Sequence, residues 1–347
     1  MERHAVTLHN ALARRGHRVH VFTPAPSSSG RPPEWGGRET GRPRLHFLSG
    51  ANWRCHEAWK LYEAEAEAER GGPFDVVDSE SVALLHRWAR DVPNLAVSCH
   101  GISLEVLHSG IYQDLARGPD ETMSPGFNRS LAESIYRVLN DIRFFHDYAH
   151  HVATSDSTGE MLRDVYQIPS GRVHVILNGV DDDKFAPDAQ LGAAIGAEGA
   201  AVRRPRGHVV ALRPAPPSKL KAFYNSLDVF LNPTLRPQGL DLTLMEAMQC
   251  GKPVATTRFP SIKGTILVDE ELGYTFSPNV EALSEVLEKV VGEGKARLVQ
   301  RGTACREYAK SMFVATKMAL AYERLFLCLK NETHCTYRSA FDESPLL

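Results

Sequence analysis

The residues best suited to chemistry follow one another in the segment NPTLRPQGLDLTLMEAMQCGKP, Asn232 to Pro253. Its pattern predicts a strand, a loop that contains proline, a glycine at position 239 and then a helix. Backbone N–H groups at a helix start carry partial positive charge, so they could hold a diphosphate without a basic side chain. Glu246 lies about one turn into that helix, where its carboxylate could accept hydrogen bonds from two ribose hydroxyls. A plain strand–loop–helix joint with a surface glutamate explains the spacing equally well, because such joints are common in doubly wound folds.

A histidine follows another predicted strand. His100 comes directly after the apolar run Leu95–Cys99, and in an α/β domain the carboxyl end of a strand faces the ligand cleft. His100 is therefore a candidate catalytic residue; the alternative is a partly buried loop histidine bonded to a neighbouring carbonyl. His146 and His150 share a predicted helix at a spacing that can bind zinc, but no third ligand is placed with them. A pair on the helix surface is favoured, and no metal site is predicted.

The elements that must position these residues alternate between strands and helices, which predicts parallel sheets with helices on both faces. Strands are predicted at 18–23, 74–78, 95–99, 151–155, 173–177, 208–212, 228–231, 253–257 and 273–276. Helices are predicted near the N-terminus before Gly16 and at 57–70, 129–148, 155–166, 218–227, 242–249, after Asn279 and at 313–330. Residues 188–207 are rich in Ala, Gly and Arg and predict a linker.

The bulk composition excludes several classes of protein. The 347 residues are enough for two domains, and 40 basic residues nearly balance 42 acidic ones, so no nucleic-acid partner is expected. No run of 18 apolar residues occurs and the N-terminus lacks the hydrophobic core of a secretory signal, so this chain is expected to have no membrane span and, by default, a cytoplasmic location. The six cysteines form no C-x-x-C pair, which favours separate reduced thiols.

The segment 232–253 resembles the E-x7-E segment of glycosyltransferase family 4, which is similar to PS…EGFGLxxLEAMAxGxPVV. Glu246 matches the second glutamate, which the resemblance implies binds the donor ribose. Gln238 stands where the first glutamate would be, a position that contacts the donor sugar in the family; glutamine keeps the hydrogen bonds and loses the charge. Asp241 replaces a usual glycine, and its carboxylate should disfavour a pyrophosphate. The resemblance assigns donor binding to Gly239, Leu240, Asp241, Leu242 and Glu246.

Two further segments resemble the same family. VILNGVD, Val175–Asp181, is similar to VIPNGVD, which ends the first domain and opens the interdomain cleft, so Asn178 and Gly179 are expected at a hinge. The N-terminal MERHA, with the later GH-x-V, resembles the first helix of the family. The whole pattern, including FYNSLDVF at 223–230, most resembles a plant branch.

The resemblance implies an α/β fold of the GT-B type, in which two Rossmann-like doubly wound domains face each other across a cleft. The expected organisation is an acceptor-side domain, a nucleotide-sugar domain, a helix that crosses back to the first domain, and a tail, at 1–180, 181–312, 313–330 and 331–347.

Parts of both domains are missing from this pattern. The strand and glycine loop that should precede the first helix are not in the sequence, and the interval 181–208 is too short for a βαβ unit of roughly 30 residues plus a linker. The first strand is central in the order 3-2-1-4-5-6, so each domain is expected to be incomplete. The missing loop carries the Arg and Lys that neutralise the donor diphosphate in the family. A truncated product with little turnover is expected; a complete parent could carry an N-terminal Golgi membrane anchor.

The implied reaction moves a sugar from a UDP- or GDP-sugar to an unidentified hydroxyl acceptor, with retention of configuration and with no cofactor and no metal. His100 and Gln238 are the expected catalytic residues. One rival is a non-catalytic GT-B remnant that binds a nucleotide or a partner protein, which the missing loop and Gln238 favour. Another is a different GT-B enzyme, such as a nucleotide-sugar epimerase; the motif at Asn178–Asp181 favours the transferase.

Overall fold

The computed structural model describes residues 2–24, 41–48, 59–64, 74–92, 94–115, 118, 120–192, 217–235 and 239–331. The chain forms two compact units. Unit 1 comprises Met1–Ser103, Tyr136–Leu177 and Thr316–Leu347, and unit 2 comprises Leu104–Ile135 and Asn178–Ala315.

Unit 1 alternates parallel strands with helices. Its strands are β1 (His20–Pro24), β2 (Arg44–Leu48), β3 (Val77–Glu80), β4 (Leu95–Cys99), β5 (His150–Ala153) and β6 (Val173–Val175). Its helices are α1 (Glu2–Arg14), α2 (59–64), α3 (His86–Ala89), the second half of α5 (Pro125–Phe144) from Tyr136 onwards, α6 (Asp156–Glu160) and α11 (Ala315–Lys330) apart from its first residue. The first half of α5, 125–135, belongs to unit 2. Among the described strands, β1 and β2 form one parallel sheet and β3-β4-β5-β6 form a separate one in chain order.

The core of unit 1 joins helices from the two ends of the described chain. Leu8 and Leu12 of α1 pack in one buried cluster with the apolar face of α11 and with residues of the four-stranded sheet. The hydroxyl of Tyr322, on α11, lies 2.8 Å from the Ser98 hydroxyl on β4. Tyr322 is fully buried, so this contact orders a polar pair inside the core.

Unit 2 contains a smaller parallel sheet covered by helices. Its strands are β7 (Phe230–Asn232), β8 (Val254–Thr257) and β9 (Gly273–Phe276), hydrogen-bonded in that order. Its helices are α4 (Ser103–Leu115, apart from its first residue), α7 (189–192), α8 (Leu220–Asn225), α9 (Leu242–Gln249) and α10 (Val280–Met312). The side chain of Asn279 caps α10 by accepting from Ala282 N–H, and α10 bends at Gly294, whose φ is 72°.

The predicted alternation is confirmed as a mixed α/β fold with parallel sheets, while several boundaries differ. β1 begins at His20 instead of residue 18, and β3 covers 77–80 instead of 74–78. Helix α5 begins at Pro125, where the Ser124 hydroxyl accepts from Phe127 N–H, and it ends at Phe144. The predicted linker at 188–207 begins instead with helix α7 at 189–192, and the remainder of that segment, the strand at 208–212 and the tail after residue 331 lie outside the described residues.

Two expectations about side-chain chemistry are wrong. His146 lies in a 3-10 turn after α5, whereas His150 begins β5, so the two histidines do not share a helix. Cys99, Cys250 and Cys305 are free and buried, as expected, but Cys328 is disulfide-bonded. The expectation failed for Cys328 because spacing along a chain does not reveal which sulfurs meet in space. No helix within the described ranges is long and apolar enough to cross a membrane.

Candidate functional site

The start of α9 in unit 2 is built by a capping aspartate. Asp241 Oδ1 accepts hydrogen bonds from Thr243 N–H at 2.8 Å and from the Thr243 hydroxyl at 2.7 Å. Its other oxygen accepts from Asn232 Nδ2 at 2.6 Å, which ties the end of β7 to the start of the helix. Asp241 therefore stabilises the joint, a role that the expectation of a purely repulsive carboxylate did not include.

A second carboxylate lies at the glycine of the same loop. Glu105 of α4 is fully buried, and its Oε1 accepts from Gly239 N–H at 3.3 Å. Gly239 has φ of 50°, which favours glycine, and neighbouring Leu240 is buried. The backbone donors of Gly239 and Thr243 thus already have carboxylate partners in this loop, and Leu242 follows Asp241 as the first residue of α9.

Glu246 is buried, with 3% of its surface exposed, so the alternative of a plain surface glutamate is wrong. The hydroxyl of Tyr224, on α8, donates to Glu246 Oε2 at 2.8 Å. Tyr224 is itself only 1% exposed, so the tyrosine fixes the orientation of the carboxylate. Gln238, the other residue of the E-x7-E-like segment, lies outside the described residues.

The side chain of Asn178 is hydrogen-bonded to the same loop, and Gly179 lies against the backbone of Val314. Asn178 Nδ2 donates to the carbonyl of Leu240 at 3.0 Å. A Cβ at Gly179 would stand 2.8 Å from the carbonyl oxygen of Val314, so only glycine permits this approach of two backbones. Val180 N–H bonds to Phe313 O, and Ala315 N–H bonds to Val180 O. Residues 178–180 therefore form a fixed junction within unit 2.

In unit 1, His100 follows β4 as predicted and pairs with Glu80 at the end of the neighbouring strand β3. Its Nε2 is hydrogen-bonded to Glu80 Oε2. Burial alone would raise the pKa of Glu80, but the hydrogen bond from His100 and the nearby imidazoles of His4, His100 and His9 lower that pKa to about 2. The pair thus combines an ionised carboxylate with an imidazole at the carboxyl edge of a parallel sheet.

Other titratable groups surround this pair. His4 is 1% exposed, and burial lowers its pKa to about 3. His9 Nε2 lies 4.0 Å from Glu80 Oε1. The hydroxyl of Ser98 donates to Asp78 at 2.9 Å, and burial followed by the charge of Glu80 raises the pKa of Asp78 well above its usual value.

Several of these residues were not singled out from the sequence. Glu80 could have been found, because the polar residues Asp78–Glu80 follow an apolar run and form the strand end themselves. Glu105 carries no sequence signal, because it stands 134 positions from the glycine it contacts, and Tyr224 belongs to the segment FYNSLDVF, which does not reveal its bond to Glu246. Only the tertiary structure brings such residues together.

Two family profiles match the chain. Residues 1–184 match Glycosyltransferase Family 4, and residues 166–293 match Glycosyl transferases group 1. A search of the curated proteins finds no match.

Solved structures of similar fold cover most of the chain. A sucrose-phosphate synthase from Thermosynechococcus elongatus has a TM-score of 0.67 at 15% identity and covers 93% of this chain and 91% of its own. A glycosyltransferase from Rickettsia africae has a TM-score of 0.64 at 13% identity and covers 95% of both chains. Anabaena HepE in complex with UDP-glucose has a TM-score of 0.56 at 13% identity, with 81% and 85% covered. At these identities the likeness establishes a shared fold.

Proposed function

The chain belongs to glycosyltransferase family 4, and from this premise we propose that it moves a sugar from a UDP- or GDP-sugar to a hydroxyl acceptor with retention of configuration. Glycosyl transfer itself follows from the family. The donor class is supported by the similar fold that binds UDP-glucose. The observation that carries the proposal is the His100–Glu80 pair at the carboxyl edge of two parallel strands, where α/β folds bind ligands.

His100 is the proposed group that contacts the transferred sugar. Because Glu80 is ionised at neutral pH, its carboxylate keeps a proton on the Nε2 atom of His100. In the neutral ring, Nδ1 is then a hydrogen-bond acceptor for a sugar hydroxyl. Glu80 is a positioning residue in this scheme, because it acts on the tautomer and orientation of His100.

The donor nucleotide is assigned to the loop before α9. Gly239, Leu240 and Leu242 would supply backbone groups to the diphosphate, Glu246 would bind the ribose, and Gln238 would contact the sugar. Tyr224 supports the role of Glu246, because it holds one oxygen and fixes the plane of the carboxylate. With Glu246 only 3% exposed, the ribose must displace a neighbouring group to reach it.

A second candidate is a nucleotide-binding protein that has lost turnover. The contact between Glu105 and Gly239 favours it, because a buried carboxylate already occupies a backbone donor assigned to the diphosphate. The absence of the basic loop expected between 181 and 208 points the same way. We therefore expect turnover well below that of a form with this loop restored, since removal of one stabilising group typically costs about a hundredfold in rate.

The test separates binding from transfer. The 347-residue chain is titrated with UDP, GDP and their glucose, galactose and mannose conjugates, and release of the nucleoside diphosphate is followed with a panel of hydroxyl acceptors. We expect one nucleotide class to bind and a slow release that His100→Ala removes. His17→Ala is the matched control, because this exposed histidine also pairs with a glutamate, Glu323, at 2.9 Å.

The outcomes distinguish the candidates. Binding with turnover that depends on His100, and a product whose anomeric configuration is retained by NMR, support transfer. Binding without turnover supports the second candidate. No binding of any nucleotide would overturn both.

A further inference from the structure

His4 is a buried histidine whose ring packs edge-on against that of His100, with the centroids 4.4 Å apart, while its ring nitrogens are unsatisfied. It is 1% exposed, and neither Nδ1 nor Nε2 has a hydrogen-bond partner. A buried polar atom without a hydrogen-bond partner is costly, so such an atom often marks the place of an ion, a water or a ligand. The orphaned nitrogens of His4 therefore require an explanation.

The other donors nearby form a metal-binding set. His4, Glu80 and His100 each offer one ligand atom, and these atoms lie within 4.8 Å of one another. His9 Nε2 stands 4.0 Å from Glu80 Oε1, on the oxygen that does not contact His100. Two imidazole nitrogens and one carboxylate are ligands that Zn²⁺ prefers over Mg²⁺ or Ca²⁺.

The lining of the site suits a dication. The Glu80 carboxylate lies against the imidazole of His100, and Asp78, two residues earlier on β3, places a second carboxylate at the same strand end. Imidazole and carboxylate together form a donor set that a divalent transition metal accepts.

We propose that His4, Glu80 and His100 bind a divalent transition metal, with Zn²⁺ the best fit and a solvent molecule in the fourth position. Ligands in a tetrahedral zinc site lie about 3.3 Å apart, from Zn–N bonds of about 2.0–2.1 Å, whereas the ligand atoms lie within 4.8 Å of one another, so the side chains must move by up to about 1.5 Å. The ligands come from α1 and from the ends of β3 and β4, which lie in one compact unit.

Metal at this site would have a consequence for His100. Its Nε2 would leave the hydrogen bond with Glu80 and become a ligand, so the ring could no longer present the tautomer needed for a sugar hydroxyl. The site is therefore inhibitory with respect to transfer. Its existence does not depend on the proposed function, because metal binding is measured without donor or acceptor.

The test is a metal titration of the chelator-treated protein. Zn²⁺ binding is measured by calorimetry at neutral pH, and Co²⁺ is used as a coloured substitute. We expect one site per chain with micromolar or tighter affinity, a visible Co²⁺ band of a four-coordinate site, and a melting temperature that rises with Zn²⁺ concentration. His4→Ala and Glu80→Gln should each weaken binding by at least about tenfold.

Two further variants keep the test decisive. His17→Ala removes an exposed histidine beside a glutamate and should leave the affinity unchanged. His150→Ala removes one member of a different close histidine pair in unit 1, since His150 Nδ1 lies 3.0 Å from His174 Nε2. Zn²⁺ binding that survives His4→Ala but is lost in His150→Ala would overturn the proposal, as would the lack of micromolar binding by the unmodified chain. Because that last result needs no variant, misfolding of a mutant cannot rescue the proposal.

Discussion

Among single residues, carboxylates paired with one hydrogen-bond partner define both candidate sites. Glu246 is held by Tyr224, Glu105 by Gly239, and Glu80 by His100. Each carboxylate is hydrogen-bonded to a partner distant in sequence, and this bond fixes the position of the carboxylate group. The local chemistry of each site therefore depends on removing or keeping one negative charge.

Glu105→Gln should strengthen nucleotide binding. The substitution keeps the size of the side chain and an oxygen that can accept from Gly239 N–H, but it removes a negative charge from the proposed diphosphate position. We expect the dissociation constant for UDP to fall by about tenfold, which corresponds to about 1.4 kcal/mol. Calorimetric titration of both proteins with UDP measures this, with uridine as the uncharged control. An unchanged ratio of UDP to uridine affinity would contradict the placement of the diphosphate.

The residues of the sites were predictable to different degrees. His100 and Glu246 stand next to strong local patterns, an apolar strand and a helix start, so the sequence indicated them. The sequence did not indicate Glu105, because this residue contacts Gly239 only once α4 has packed in unit 2. His4 belongs to a helix whose period predicts burial, but nothing in that period says which strand ends it meets.

Among the elements, α9 is the one that local sequence determines most completely. Its predicted span of 242–249 is the observed one, because Asp241 caps its start and Gly251, with φ of 72°, follows its end. β3 differs from its prediction for a tertiary reason. Its polar residues Asp78 and Glu80 remain in the strand because Ser98 and His100, on or just after β4, bond to them.

Two substitutions at Asp241 should separate its capping role from its charge. Asp241→Ala removes the cap and the bond from Asn232, and we expect unit 2 to lose about 1 kcal/mol of unfolding free energy. Asp241→Asn keeps a capping oxygen. The side-chain amide of Asn232 can turn so that its oxygen accepts from the new amide N–H at position 241, so the free energy of unfolding should stay close to the original. The same variant should bind UDP more tightly. Urea unfolding and UDP titration measure the two effects; equal destabilisation by both substitutions would contradict the capping role.

Across the whole molecule, buried histidines link stability to pH. Burial lowers the pKa of His151 to about 3 and that of His174 to about 4, against 6.5 for an ordinary histidine. Below about pH 6.5 these two histidines become protonated in the unfolded chain but stay neutral in the folded protein. The stability that neutral burial provides is therefore fully present above pH 6.5 and is lost as the pH falls towards 4 and 3.

The free energy of unfolding should thus fall on acidification from pH 6.5 to 4.5, by about 1.4 kcal/mol per pH unit for each such histidine. Urea unfolding of unit 1 in the presence of a chelator, followed at several pH values, gives the slope. His151→Gln should reduce it by the share of one proton. A slope that is flat in this window, or the same in the variant, would contradict the buried neutral state of His151.

The tertiary arrangement of unit 1 was only partly predictable. Parallel strands and flanking helices follow from the alternation, yet the described strands form two sheets, β1-β2 and β3 to β6. The alternation alone does not give this division, because it does not say which strands pair with one another in three dimensions.

The core of unit 1 can be completed only late in the synthesis of each chain. Its core needs Leu8 and Leu12 of the first helix together with Met318 and Tyr322 of α11. The ribosome must therefore synthesise most of the polypeptide, including all of unit 2, before α11 can pack against α1 and the sheet of unit 1. Until then, α1 and the sheet of unit 1 expose apolar surface that α11 later covers. Chaperone binding to nascent chains should accordingly persist until residues beyond 325 have left the exit tunnel.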